Sequence, residues 1–283
     1  MSGRLVSVSH LTALDLSPED FVRAAAKAGF DAVGLRINPP KHTPDRWPIA
    51  GDLRRAEAIA RLADDSGIGV FEAETFSVWP DFDVAAMRPG LESAAAMHVQ
   101  MLVCAGIDEN EPRLVENYAT LADEAARFGL VVGIEFMPFR PLAALDDAVR
   151  VQRAVGRPNA RILIDALHLS RCGSDAAAVA ALDPATLGYI HLCDAPALPP
   201  EPVNHAEEAR ASRLFPGEGG LDLAGLLAAV PADLPVSLEA PNPRYADIAP
   251  AEMLAIAARK TIGLVRAADA ARTAPHRERR AST

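Results

Sequence analysis

"EDFVRAAAKAGFDAVGLRI", residues 19–37, contains a helix, its stop signal and a strand in direct succession. Ser17 stands where it can cap the helix, Pro18 suits the first helical position, and Asp20 is placed for a capping box. Gly29 ends the helix, because a left-handed residue is needed there and glycine adopts it without a steric penalty. The apolar run after it is short and bounded, as a buried strand is. The same junction of helix, glycine and strand recurs at Gly67 ("DDSGIGVFEAE"), Gly129 ("ARFGLVVGIE"), Gly156 ("AVGRPNARILID") and Gly188 ("ATLGYIHL").

The intervals between these glycines are 38, 62, 27 and 32 residues. The longest gap holds two units, since "LESAAAMHVQMLVCAG" fits a further helix and strand with His98 where the glycine would fall. Strands are therefore expected at 4–9, 32–36, 68–74, 99–104, 130–135, 161–165, 188–193 and 234–239, with a last helix at 249–267. Strands alternating with helices at this spacing require parallel pairing with helical cover. An open doubly wound sheet would show a glycine-rich phosphate turn after its first strand, yet "SVSHLTALDLSPED" has no glycine. Eight units favour a closed (β/α)8 TIM barrel, an α/β fold, as a single domain over residues 1–270. Residues 271–283, ending "APHRERRAST", read as a polar, flexible tail.

Composition narrows the function. The chain has 283 residues and a formal net charge of −10, which argues against a broad nucleic-acid-binding face. Cys104, Cys172 and Cys193 are odd in number and lack metal-knuckle or disulfide spacing, as expected of reduced thiols in a cytoplasmic protein. No basic-then-apolar leader opens the sequence, and no stretch approaches the ~20 apolar residues of a membrane helix.

Four strands end on residues able to bind a metal: Glu135 closes "VVGIE", Asp165 closes "RILID", His191 closes "GYIH" and Glu239 closes "PVSLE". These are neighbouring strands, so their ends converge on one side of the barrel mouth. Taken singly, a strand-end acid reads as a cap for the next helix, and a lone histidine as a packed side chain. Four in register resist that reading, because Glu and His are poor N-caps. Three carboxylates brought together repel and raise one another's pKa, and a divalent cation relieves this. Asp165 is thus expected to meet a metal ion rather than a salt bridge.

With "GIEFMP", "DALHL", "HLCD", "PGEGGLD" and "SLEAP" in hand, the chain resembles the sugar-phosphate isomerase/epimerase superfamily, the xylose isomerase-like TIM barrels, over about residues 4–267. The resemblance implies that Glu135, Asp165, His191 and Glu239 ligate the metal. It also implies that Glu135 and Glu239 are the catalytic acid and base, and that His168 of "DALHL" contacts substrate. Chemistry supports this independently. A hydroxy-carbonyl compound can chelate the ion, which stabilises the cis-enediolate left by proton abstraction. Returning the proton to the same carbon epimerises it, returning it to the neighbour isomerises, and loss of a β-hydroxyl dehydrates. The expected activity is isomerase or epimerase on a small sugar-like substrate, with a dehydratase of a cyclic polyol or dehydroshikimate-like acid as the alternative. An oxygen-rich set with one imidazole suits Mn2+ first, and Mg2+, Co2+ or Zn2+ also. A homodimer or homotetramer is the family-level expectation.

Two segments break the rhythm: the proline-rich 38–52 and the long excursion 194–222, both on the rim. The second offers His205, Arg210 and Arg213, of which Arg213, just before "PGEGG", is the expected substrate contact. The competing reading makes "EEARASR" a solvated helical turn, with Glu207 and Glu208 pairing to the arginines. The glycines that follow read as a turn, since no helix-opening lysine follows them. Among His10, Arg36, Glu72 and Glu74 at other strand ends, Glu74 and His10 are the expected pocket residues. "EFMPFRPLAAL" is mostly apolar after Glu135, with Arg140 its only other charge, which points to a less hydroxylated or cyclic substrate than a free ketose.

Overall fold

A computed structural model describes residues 3–41 and 43–273. Eight parallel strands close into one barrel in chain order. They are β1 (Val6–Ser9), β2 (Ala32–Arg36), β3 (Gly69–Glu74), β4 (Met101–Ala105), β5 (Val131–Glu135), β6 (Ala160–Asp165), β7 (Leu187–Leu192) and β8 (Val236–Leu238). The ring shuts where Ser7 of β1 registers with Ser237 of β8.

The opening stretch folds as its residues dictate. Ser17 Oγ accepts the Asp20 N–H at 3.1 Å and donates to Asp20 Oδ2 at 3.0 Å, while Gly29 sits at φ 95°. His98 takes the place of a stop glycine in conformation as well as in position, at φ 59°. Two boundaries differ from expectation. β8 ends at Leu238, which leaves Glu239 one residue past the strand. The last helix runs Pro250–Thr273, through the position where the polar tail was expected to begin. Arg4 reaches Asp269 of its late turns at 3.6 Å, and Arg272 donates to the carbonyls of Leu227 and Val230, so the final turns are tied to the body. Residues 274–283 lie outside the described residues. No helix among those described is long and apolar enough to cross a membrane.

Apolar side chains form two bodies. The larger lies between strands and helices, and includes Phe21, Ile59, Leu121 and Val151 from the helices. The smaller, Ala32, Phe71, Met101, Val103, Leu163 and Tyr189, fills the lumen. Above that plug the inward positions turn polar. Ser9, Arg36, Glu74, Glu135, Asp165 and His191 all stand at the last residue or the last but one of their strands.

One irregularity matters for the site. Val33 pairs with Val70, but the next residue, Gly34, pairs with Glu72, so Phe71 is an extra residue in β3. Glu72 then faces Gly34, where an added Cβ would lie 2.3 Å from its Cγ. A glycine is required here by close approach rather than by backbone angle. Gly34→Ala is expected to lower the unfolding free energy by about 1–3 kcal/mol, the range for overpacking a tight core. Urea denaturation measures this, and an unshifted midpoint would mean that Glu72 can move aside.

Candidate metal centre

Glu135, Asp165, His191 and Glu239 each offer one ligand atom, and the four atoms lie within 4.8 Å of one another. All four residues are buried. Parallel register explains the convergence, since Asp165 pairs with His191 across β6 and β7, and Glu135 ends β5 beside β6.

Each of the four is held differently. His191 Nε2 lies 2.9 Å from Glu72 Oε2 and 3.2 Å from the Tyr189 hydroxyl, and the other oxygen of Glu72 accepts from Ser237 Oγ at 2.6 Å. This fixes the ring and leaves Nδ1 buried without a hydrogen-bond partner, 3.6 Å from Glu135 Oε1 and 3.6 Å from Glu239 Oε2. Asp165 Oδ1 caps the short helix Ala166–Arg171 by accepting the His168 N–H at 2.9 Å. Its Oδ2 meets Arg213 Nη1 at 2.5 Å. The expectation that Asp165 would avoid a salt bridge is therefore corrected. The partner lies 48 residues away, on an excursion whose course the sequence pattern does not reveal.

Arg213 reaches further. Its Nη2 lies 2.9 Å from Glu239 Oε2, while Nε donates to Ala209 O and Nη1 to Glu239 O. Expected to touch substrate, Arg213 here is fully buried and bridges two of the four acidic and imidazole groups. Glu239 Oε1 also accepts from Ser9 Oγ at 3.3 Å. Glu135 differs, because among the described residues no arginine or hydroxyl holds it, and its charged contact is His191 Nδ1 at 3.6 Å.

Charge explains why a cation belongs here. Among the described residues, Glu72, Glu74, Glu135, Asp165 and Glu239 face only Arg36 and Arg213 as permanent cations, a deficit of three charges in a buried space. Burial would lower His191, but Glu239 and then Glu72 outweigh it and raise its pKa well above the usual range. Burial lifts Glu239 to about 7, against the pull of His191 and Arg213. Burial likewise works against Asp165 and Glu74, yet Arg213 holds the first below the usual carboxylate range and Arg36 the second. Burial also pushes the Cys193 thiol up to about 12, so it is no nucleophile. An unpartnered Nδ1, three carboxylates around it and an excess of negative charge are the donor set a divalent ion takes.

The remaining expected residues are spread around this centre. His168 is buried, its ring lies edge-on to Phe139 at 5.6 Å between centroids, and it makes no side-chain hydrogen bond among the described residues. Glu74 receives Arg36 at 2.8 Å and Ser9 Oγ at 2.5 Å. His10 bonds Leu16 O through Nε2 and stacks on Phe21, outside the four-residue cluster. Glu72 is the residue that strand-end reasoning undervalued. Two acids at alternate positions in "FEAE" were the available signal, and the β3 bulge decides which of them reaches His191.

The chain belongs to the xylose isomerase-like TIM barrel family, whose model matches residues 22–265. A 3-dehydroshikimate dehydratase of Pseudomonas aeruginosa is 29% identical over 237 residues, which cover 78% of this chain and 36% of the relative. The chain thus spans about a third of that protein's length. A Streptomyces coelicolor protein named "Putative hydroxypyruvate isomerase" is 28% identical over 239 residues, 72% of this chain and 77% of the relative. Among solved structures, the IOLI protein with a bound zinc atom superposes with a TM-score of 0.76 at 18% identity, over 93% of this chain and 98% of that one.

Two measurements test the centre. Calorimetric titration is expected to show one divalent ion per chain, with Glu72→Gln weakening binding about 10- to 100-fold, as loss of a ligand's supporting hydrogen bond does. Binding by a variant equal to that of the unaltered protein would deny Glu72 its role. The ion must also displace the proton that the raised pKa keeps on His191, so affinity rises with pH, and about one proton is released per ion. The same imidazolium stabilises the metal-free fold fully below its unfolded pKa of about 6.5, and this contribution fades as pH climbs through the raised folded value. Metal affinity independent of pH would contradict this account.

Proposed function

We propose that this chain is a divalent-metal-dependent enzyme that moves a proton beside the carbonyl of a small hydroxy-carbonyl compound, acting as an isomerase or epimerase. The observation that carries this is the placing of Glu135 and Glu239, each 3.6 Å from the unpartnered Nδ1 of His191 and differently restrained. Glu239 is gripped by Arg213 and Ser9, whereas Glu135 is not gripped. The free carboxylate of Glu135 suits the base that takes the proton from carbon. Glu239, restrained and raised by burial, suits the acid that returns one.

Glu135, Asp165, His191 and Glu239 would hold the ion. When bound, it would polarise the substrate carbonyl and offset the charge that builds up on oxygen as the proton leaves. Arg213 keeps Asp165 ionised and holds Glu239 in place. His168, buried and with its ring free of hydrogen bonds, suits contact with a substrate hydroxyl or carbonyl oxygen, and Glu74 with Arg36 forms the opposite polar wall. Mn2+ is the ion we propose from the donor set, and the zinc in the IOLI structure makes Zn2+ the comparison to run.

A dehydratase has equal support. The Pseudomonas aeruginosa relative bears that name, and Phe139, edge-on to His168, offers an apolar face suited to a ring. The same two glutamates would serve, with the base taking the proton from carbon and the acid protonating the β-hydroxyl that leaves as water.

Incubation with Mn2+ in deuterated water separates the outcomes. Solvent deuterium found in recovered or isomerised substrate, without loss of water, supports the first reading, and release of water with a new double bond supports the second. Glu135→Gln is expected to lower kcat by about 10²–10⁴, the usual contribution of a general base, and to weaken metal binding as well, so its rate is read at a metal concentration that elemental analysis shows to fill the site. Full activity in that variant would remove Glu135 from the chemistry.

A further inference from the structure

We propose that Arg140 and Arg210 form an anion-binding subsite beside the metal centre, so that the substrate carries a carboxylate or phosphate besides its hydroxy-carbonyl unit. This rests on the enzymatic reading above and narrows its substrate class.

The argument begins with pairing. Acids outnumber bases 38 to 28 in this chain, and the basic residues around the mouth have partners accordingly. Arg36 holds Glu74, Lys41 holds Asp81, Arg46 holds Asp15 and Arg213 holds Asp165 with Glu239. Glu208, expected to pair within its own helix, is buried against Arg171 instead, in a two-pronged contact at 2.7 and 2.9 Å. That leaves Arg210 without an acid within 4.0 Å among the described residues, and Arg140 is in the same position. Arg140 Nε is moreover buried with no hydrogen-bond partner.

These two unpaired cations share one aromatic neighbour. Their guanidinium carbons lie 5.6 and 6.0 Å from the centroid of one ring, Phe139. That ring packs edge-on against His168, whose backbone is bonded to the cluster residue Asp165. Burial and then the charge of Arg210 lower the pKa of Arg140, as expected of a cation pair lacking a counter-charge. Arg210 also lines a cavity of about 370 Å³ walled by Leu11, Thr12, Pro241, Asn242 and Tyr245, residues that follow the ends of β1 and β8.

The positions are fixed before any ligand arrives. The turn carrying Phe139 and Arg140 is closed by Met137 N–H to Leu142 O and Arg140 N–H to Met137 O, each at 2.9 Å. The helix carrying Arg210, His205–Ala211, is capped by Asn204 and pinned by the Arg171–Glu208 pair. Two forks of donors on rigid supports match a planar carboxylate or a phosphate.

The test compares 3-dehydroshikimate, hydroxypyruvate, a ketose phosphate and an uncharged ketose on the Mn2+-loaded protein, by steady-state kinetics and by calorimetric binding. Arg140→Gln and Arg210→Gln are expected to raise KM and Kd for the anionic compound about 10- to 100-fold, the effect of losing a hydrogen bond to a charged group. Arg→Lys at either position recovers part of the loss if charge is what matters, which separates the role from a folding defect. The preferred anion identifies the group recognised. Equal binding of the anion by the Gln variants, or turnover of the uncharged ketose alone, overturns the subsite and leaves the proposed reaction standing. Arginine-dependent binding of an anion without turnover of any compound upholds the subsite and counts against the reaction.

Discussion

Closing the barrel imposes the constraint from which the site follows. Eight parallel strands that all end on one side bring their last inward side chains into a ring a few ångströms wide. Here that ring is acidic. Each buried carboxylate costs several kcal/mol if left unpaired, and Arg36 and Arg213 answer only part of the charge. His191 absorbs what it can by holding a proton, anchored from below by Glu72 and open above to Glu135 and Glu239. A fold that only needed stability would have filled these positions as it filled the layer beneath, with Phe71, Met101, Val103 and Leu163. The acids are instead arranged as donors around a point.

Much of the fold was legible because its signals are local. Ser17, Pro18 and Gly29 set one helix by capping alone, and the repetition of that junction revealed the barrel. His98 could be read as a stop because histidine tolerates the left-handed region better than a branched residue does. The four residues were legible for a related reason, since alternation sends every second side chain near the strand ends into the same barrel mouth. The rest of the site was not legible, because it depends on distance and register. Arg213 meets Asp165 across 48 residues, and Glu72 reaches His191 only because Phe71 is an extra residue in β3. A bulge shifts the alternation of everything after it, and the sequence alone gives no sign of where it falls. Charge pairing inside "EEARASR" failed for the same reason: Glu208 is nearer in sequence to Arg210 and Arg213, but folding places it against Arg171.

The excursion after β7 shows how a long loop can be as fixed as a strand. Asp194 accepts the backbone N–H groups of Ala195, Gly217, Gly219 and Leu221, at 2.9 to 3.1 Å, and so gathers both ends of the segment onto one carboxylate. Paired backbone bonds between Asp194 and Leu214, both at 2.8 Å, lock the residue next to Arg213. Gly219 is needed because a Cβ there would fall 2.2 Å from Ala195 O. The glycines therefore form the turn that carries Arg213 inward, and no phosphate is needed to explain them. Arginine at that depth requires such a frame, since a mobile loop would release its charge to water.

This arrangement separates the reaction from the choice of substrate. Arg213 cannot both bridge Asp165 to Glu239 and hold a substrate, because its three nitrogens are already directed at fixed acceptors. In the proposed reading, recognition would thereby fall to residues that do not contact the donors: the turn at Phe139 and Arg140, and the helix bearing Arg210. Relatives named for a dehydration and for an isomerisation are then no contradiction. As proposed here, either reaction would begin with a proton lost beside a carbonyl, and the two would diverge over whether a leaving hydroxyl is held where the second carboxyl can protonate it. That is set by how the far end of the substrate is anchored, so the unpaired arginines bear on the type of reaction as well as on affinity. In the reaction proposed here, fold and donors would serve the first step, and the anchor would select the second.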